Sequence, residues 1–336
     1  MTNFQSEATV GDLGEQGILD AILPLLDSSK ASLGPGDDAG ALRVRGEEVL
    51  VSVDTLVENQ DFRLIWPSGQ EHKAYDIGWK SIAQNVSDIN AMGGKATGAV
   101  ISLSLPEGTE LDWVKDLAQG VTDAIKYLGA QELTVLGGDL GKASEISVTT
   151  TVLGETEHGK VLRSGAQPGD LIAIAGHVGD AGAGLDVLEH HGDSAKWNRA
   201  VRRLVAGQCR PTPPLGSGPR AAESGAHALM DVSDGLIRDG SRLAKASGVS
   251  IDFDLQVLAK FAERLKPAAN LTGHDPMKWV LHGGEDFGLL AVFGKDSKIP
   301  EEFTVIGKVT ARSGRRSLVT VNGKPAAAKD GFDHFS

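Results

Sequence analysis

The stretch LDWVKDLAQGVTDAIKYLG (111–129), followed by LTVLGGD (133–139), decides the fold class. Leu111, Val114, Leu117, Val121, Ile125 and Leu128 recur at helical spacing, and Gly129 stands where a left-handed residue ends a helix. Leu133–Leu136 then reads as a short apolar strand that runs out into Gly137-Gly138-Asp139. A helix giving way to a strand, and the strand to a glycine-rich carboxylate turn, is an α/β unit, and the same alternation extends in both directions.

Upstream, the pattern predicts a helix over Gly11–Leu26 disturbed near its end by Pro24, then a strand over Val49–Leu56. A helix over Ile77–Met92 follows, with Ile82, Val86 and Ile89 on one face and Ser81, Asn85 and Asp88 on another. Gly98–Leu105 reads as a strand, as does Ile146–Leu153 downstream. The chain turns polar over Glu155–Arg163, which divides it into an N-terminal domain, 1–158, and a C-terminal domain, 159–336. In the second half strands are expected at Leu171–Ala175, Val249–Leu255, Leu289–Phe293, Phe303–Val309 and Leu318–Val321. Helices are expected at Asp180–His190, which is rich in glycine, at Lys196–Ala206, and from an N-cap at Ser233 to Ala246 with Gly248 as its stop. Both halves are therefore α/β or α+β.

The length of 336 residues fits two domains, because single cores stop growing beyond about 250–300 residues. A formal net charge of −12 argues against a nucleic-acid or anionic-membrane partner, since phosphate backbones attract faces rich in Lys and Arg. No apolar run approaches the ~20 residues of a membrane span, and no basic segment precedes an apolar core at the N-terminus, so a cytoplasmic protein is expected. Cys209 is the one cysteine, which excludes an intrachain disulfide framework and a multi-cysteine zinc site.

Carboxylates beside glycines and at the ends of apolar strands carry the chemistry. They stand in Gly36-Asp37-Asp38-Ala39, Ser52-Val53-Asp54-Thr55, Asn85-Val86-Ser87-Asp88, Gly137-Gly138-Asp139, Asp231-Val232-Ser233-Asp234-Gly235 and Gly283-Gly284-Glu285-Asp286. Any one of them could be a turn or a helix cap. Together they flank apolar strands, where a carboxylate is costly unless compensated, and they are expected to converge from separate strand ends. Hard cations such as Mg²⁺, which bridge carboxylates to substrate phosphates, supply that compensation and point to phosphoryl transfer or another ATP-dependent reaction. The standard nucleotide loops do not fit. Gly154–Val161 resembles a phosphate loop but ends in Val161, which has no hydroxyl for a metal. Gly34–Ala39 would point two carboxylates at a pyrophosphate.

In order and spacing these segments resemble the thiamine-monophosphate kinases, members of the superfamily that includes aminoimidazole ribonucleotide synthetase. The resemblance runs from about Gly11 to Phe335 and also takes in Arg163-Ser164-Gly165-Ala166-Gln167-Pro168-Gly169-Asp170. It implies a two-domain α/β fold whose N-terminal sheet pairs across a homodimer, carrying ATP, Mg²⁺ and the dimer contact, with a C-terminal α/β domain that completes the active site. It implies direct in-line transfer from ATP to thiamine monophosphate, without a phosphoenzyme. It places metal ligands at Asp38, Ser52, Val53 through its backbone, Asp54, Asp88, Asp139, Asp231 and Asp234, several Mg²⁺ in all. ATP contacts fall on Gly138, Asp139, Arg163 and Ser233, with Arg163 stabilising the charge of the transferring group. Substrate contacts fall on Glu285, on Phe332 and at the position of Asp61, where the family commonly has a histidine. An ionised Asp accepts but cannot donate and would repel a phosphate, so Asp61, in the polar loop Asn59-Gln60-Asp61, is expected to turn away from it. Val53 replaces a usual Thr, and Leu140-Gly141-Lys142 lacks the hydroxyl residues often seen there. The alternative activity is another ATP-dependent ligase or synthetase of the same superfamily. Cys209 lies far from the N-terminal reactive residue of selenophosphate synthetase, and the chain ends His334-Phe335-Ser336 without the cysteine tail of the hydrogenase-maturation relative.

Overall fold

The computed structural model describes residues 9–32, 42–190, 192–312 and 318–326. The chain forms two compact units, one of residues 1–65, 71–85 and 96–155, the other of residues 66–70, 86–95 and 156–336.

The first unit opens with α1 (Val10–Ile22), started by a capping box in which Thr9 and Asp12 satisfy each other's backbone N–H groups. Pro24 ends it by tightening Leu23–Leu25 into a 3₁₀ turn. β1 (Leu50–Val57), α2 (Ala74–Ala91), β2 (Lys95–Leu105), α3 (Leu111–Tyr127), β3 (Thr134–Lys142) and β4 (Ser147–Glu155) follow. The four strands lie in the order β1-β4-β2-β3, with β1 antiparallel to β4 and β2 parallel to β3. Burial alternates along β4, where Val148, Thr150 and Val152 face the core. The foreseen apolar face of α3 buries Val114, Leu117, Val121 and Ile125. The backbones of α2 and α3 touch at two glycines. A Cβ on Gly78 would lie 2.1 Å from the Leu117 carbonyl oxygen, and one on Gly120 would lie 2.0 Å from that of Tyr75.

β3 is longer than the sequence implies. Glycine reads as a strand breaker, but Gly137-Gly138-Asp139 lies inside the strand and not beyond its end. The ladder absorbs the glycines through a bulge at Leu136, with Val135 opposite Ala99 and Gly137 opposite Val100. Gly138 is required there because a Cβ would lie 1.9 Å from the Ile101 carbonyl oxygen.

The second unit contains β5 (Leu171–Ala175), α4 (Asp180–Glu189), α5 (Arg199–Cys209), α6 (Ser217–Glu223), β6 (Ala228–Val232), α7 (Leu236–Ser247), β7 (Ser250–Phe253), α8 (Leu255–Glu263), α9 (Lys266–Thr272), α10 (Pro276–His282), β8 (Gly288–Phe293), β9 (Thr304–Thr310), β10 (Val319–Val321) and β11 (Lys324–Pro325). Its sheet has the order β11-β10-β7-β9-β5-β8-β6. Both faces are covered, which is why β5 and β8 read as unbroken apolar runs. Ile172, Ile174, Leu290, Val292, Met230 and Val232 enter one core, while Ala173, Ala175, Leu289, Ala291, Phe293 and Leu229 enter the other.

Two expectations in this unit are corrected. Asp231 itself lies in β6. The helix after it starts at Leu236 from Gly235, which sits at φ 108°, not from an N-cap at Ser233. The reason is local crowding: a Cβ on Gly284 would lie 2.4 Å from the Ser233 carbonyl oxygen, so residues 233–234 bend against another loop before helix begins. The strand expected over Val249–Leu255 stops at Phe253, because Asp254 caps α8 by accepting from the N–H groups of Gln256 and Val257. Gly248 does end α7, in the left-handed conformation.

Candidate active site

In the first unit, Ser52 and Asp54 alternate with Val51, Val53 and Thr55 along β1, so the two oxygen-bearing side chains share one face. The Val53 side chain is exposed on the other, leaving its carbonyl as the group able to face a cation. Asp54 lies opposite Thr150 of β4, and Asp139 of β3 lies opposite Ser102 of β2. Asp139 and Gly138 are exposed. β1 and β3 are the two edges of this sheet, about 14 Å apart at ordinary strand spacing. The expected convergence of these carboxylates is therefore not made by the sheet of one chain. Asp61 closes the turn after β1, its Oδ2 accepting the Val57 N–H at 2.8 Å while its own N–H donates to the Val57 carbonyl.

The second unit gathers a denser group. Asp231, near the end of β6, is buried and accepts from the Ser87 hydroxyl at 2.9 Å, which joins it to the end of α2 that carries half-buried Asp88. Asp234 follows on the turn, with Arg242 Nη1 at 2.6 Å and Arg238 Nε at 3.9 Å from its carboxylate. Its N–H donates to Asp239 at 2.8 Å. Asp239 is fully buried, and burial, reinforced by the neighbouring Asp234 charge, pushes its carboxyl up to about 6 against the pull of Arg242. Among the described residues, Asp88, Asp231 and Asp234 do not bring three ligand atoms within 4.8 Å of one another. Mg²⁺ binds through one or two carboxylates and completes its octahedron with water and phosphate oxygens, so it does not require a closed all-protein cage.

The loop Gly283–Phe287 closes against the same turn. The Glu285 N–H donates to the Ser233 carbonyl at 2.8 Å, and the Phe287 N–H to the Val232 carbonyl at 3.1 Å. Asp286 is buried and accepts from the N–H groups of Gly179 and Ala181 at the start of α4. Burial raises its carboxyl to about 7, with the nearby Asp180 charge adding to the effect and the backbone donors opposing it. Arg163 is exposed, and its carbonyl accepts from the Ser247 hydroxyl at 3.1 Å. Asp38 and Phe332 lie outside the described residues. Asp239, Arg242, Asp286 and Gln208, which donates to Glu285, were not foreseen. Asp286 stood in a motif, and Asp239 and Arg242 are spaced i, i+3 on α7, but Gln208 has no signal in the sequence beyond its place in a helical pattern.

The fold and its paired carboxylate turns belong to a defined class. Residues 36–156 match the family model of the AIR synthase related protein N-terminal domain, and residues 167–319 match that of the AIR synthase related protein C-terminal domain. Within that class the chain belongs to the thiamine-monophosphate kinase family. It is 37% identical to the thiamine-monophosphate kinase of Mycobacterium tuberculosis over 97% of this chain and 93% of that protein. It is 33% identical to that of Aquifex aeolicus over 96% of this chain and 99% of that protein. A solved structure of AaThiL complexed with AMPPCP and TMP superposes with a TM-score of 0.74 at 30% identity, covering 96% of this chain and 98% of that one.

Proposed function

We propose that this protein is an ATP-dependent kinase that phosphorylates thiamine monophosphate to thiamine diphosphate. The observation that carries the reading is its likeness, over nearly the whole length of both chains, to a structure holding an ATP analogue and TMP together. With no Ser/His/Asp or activated-cysteine arrangement in the sequence, the nucleophile is the acceptor's own phosphate, attacking in line without a phosphoenzyme.

Several Mg²⁺ ions would be held by Asp38, Ser52, the Val53 carbonyl, Asp54, Asp88, Asp139, Asp231 and Asp234; when bound they neutralise the repulsion between phosphate groups. Gly138, Asp139, Arg163 and Ser233 are assigned to ATP. Gly138 brings bare backbone to the nucleotide, and Arg163 offers a fixed positive charge to the transferring group. Glu285 and Phe332 are assigned to the thiamine body, a carboxylate and an aromatic face suiting a flat cationic ring. Asp61 is left out of this set, since its carboxylate is engaged by its own turn. The nucleotide, metal and subunit-pairing roles thus fall mainly within 1–158, and the acceptor side within 159–336.

A homodimer is part of the reading. β1 is an edge strand that exposes Val51 at 62% and Val53 at 56%, an apolar edge of the kind that a second copy covers. No helix among the described residues is long and apolar enough to cross a membrane. We place the enzyme in the cytoplasm, where its co-substrate ATP is found.

The test is incubation of the protein with Mg-ATP and thiamine monophosphate. Thiamine diphosphate and ADP are expected in equal amounts, and γ-labelled ATP alone should leave no label on the protein. ATP consumption without thiamine diphosphate would point instead to a ligase or synthetase of the same class.

A further inference from the structure

The loop that presents Glu285 is held against its own conformational preference. Glu285 has φ 64° and Phe287 φ 52°, both in the left-handed region that side chains other than Gly and Asn avoid. Between them the Asp286 carboxylate is buried on the first turn of α4, accepting from Gly179 N at 2.5 Å and Ala181 N at 2.8 Å. A third unfavourable feature meets these two at the Glu285 side chain. Gln208, at the end of α5 and 1% exposed, donates its amide Nε2 to Glu285 Oε2 at 2.5 Å. An ionised carboxylate only accepts, so the Gln208 amide must turn its NH₂ outward to Glu285 and its carbonyl inward. That buried carbonyl, Oε1, has no hydrogen-bond partner among the described residues. A merely structural residue at this place would be apolar, because an orphaned buried acceptor destabilises the fold.

The glycines of α4 make this arrangement possible. A Cβ on Gly184 would lie 2.2 Å from the Leu204 carbonyl oxygen and 3.0 Å from Gln208 Cβ, so α5 can seat Gln208 only against a bare α4. A Cβ on Gly182 would lie 2.8 Å from Gly283 Cα, so the Glu285 loop rests on the same helix. One rigid helix thereby sets the distance between Gln208 and Glu285.

We propose that Gln208 is a positioning residue that determines acceptor specificity: it fixes the Glu285 carboxylate in the one orientation that receives the thiamine body. The inference rests on the reading above, in which Glu285 faces the phosphoryl acceptor. Gln208 itself need not touch substrate; it acts through Glu285 by denying that side chain its other rotamers.

The test is Gln208→Met, which keeps the volume, removes the donor to Glu285 and removes the orphaned carbonyl. Michaelis constants for thiamine monophosphate and for ATP are measured with the melting temperature. The constant for thiamine monophosphate is expected to rise about tenfold or more, and that for ATP to stay within about twofold. The melting temperature should hold or rise, the opposite of what loss of a structural residue gives. Combined with Glu285→Gln, the substitution should add nothing to the effect of Glu285→Gln alone, as expected for two residues acting as a unit. Should the Met variant fail to fold, Gln208→Leu, which also removes both the donor and the orphaned carbonyl, breaks the same contact, and the selective rise in the constant for thiamine monophosphate is expected of it. An unchanged constant for thiamine monophosphate, or parallel rises for both substrates with a lower melting temperature, overturns the inference. A wild-type chain that makes no thiamine diphosphate is the failure of the functional reading, visible before any variant is made, and the inference falls with it.

Discussion

Replacing Asp54 by Asn is expected to lower the rate of thiamine diphosphate formation by about 10²–10³-fold, the usual effect of deleting one preorganised charge-stabilising group. The substitution keeps the shape of the side chain and removes its charge. Asp54 is half-buried on an edge strand, sharing a face with Ser52 and lying opposite Thr150, so the strand's ladder with β4 is untouched. A change at such a position moves stability by about 0.5 kcal/mol either way. The expected signature is therefore a severely slowed enzyme with a wild-type melting curve, and a rate that higher Mg²⁺ restores only in part. Turnover like that of the wild type would remove Asp54 from the proposed metal ligands.

Gly120→Ala is the counterpart, large in stability and not in chemistry. The added methyl would lie 2.0 Å from the Tyr75 carbonyl oxygen, and that oxygen is backbone, which cannot swing aside. α2 and α3 must separate along a contact that also includes Gly78 against Leu117. Overpacking of this kind costs about 1–3 kcal/mol or more, a fall of roughly 5–10 °C in a unit of this size. Gly108→Ala is the matched control, since nothing lies within 4 Å of the methyl it would add. Equal melting temperatures for the two variants would show that the helices yield more easily than their contact implies.

The sequence was most legible where one local rule sufficed. The apolar stripe of α3 and the left-handed stop at Gly248 follow from spacing and residue type. It was least legible where a second segment decides the outcome. Gly137 and Gly138 read as a break, yet both lie in β3, and the neighbouring Ile101 backbone leaves no room for a side chain at Gly138. Ser233 has the chemistry of a helix cap, yet its carbonyl is taken by Glu285 and the helix waits for Gly235. Ser81 and Asn85 form the polar stripe foreseen on α2, yet both are buried, and the Asn85 amide donates to the Ser81 carbonyl. The carboxylates stand out in the sequence as a set, whereas the side chains that hold them do not. Nothing local to Gln208 or Arg242 announces the loop or turn that each one holds.

The order of strands in the first sheet also has a consequence for synthesis. Among the described residues β1 pairs with β4 alone, Val57 opposite Ser147 and Leu50 opposite Gly154. When Leu50–Val57 leaves the ribosome its partner is roughly a hundred residues from being made, a delay of about 5–20 s at ordinary elongation rates. Throughout that interval the segment bearing Val51, Val53 and Asp54 has no strand to join. Folding of the unit must therefore begin elsewhere, with the contacts of α2, β2, α3 and β3, and finish by drawing its earliest strand in last. The nascent chain carries Leu50–Val57 as the most exposed part of an unfinished sheet.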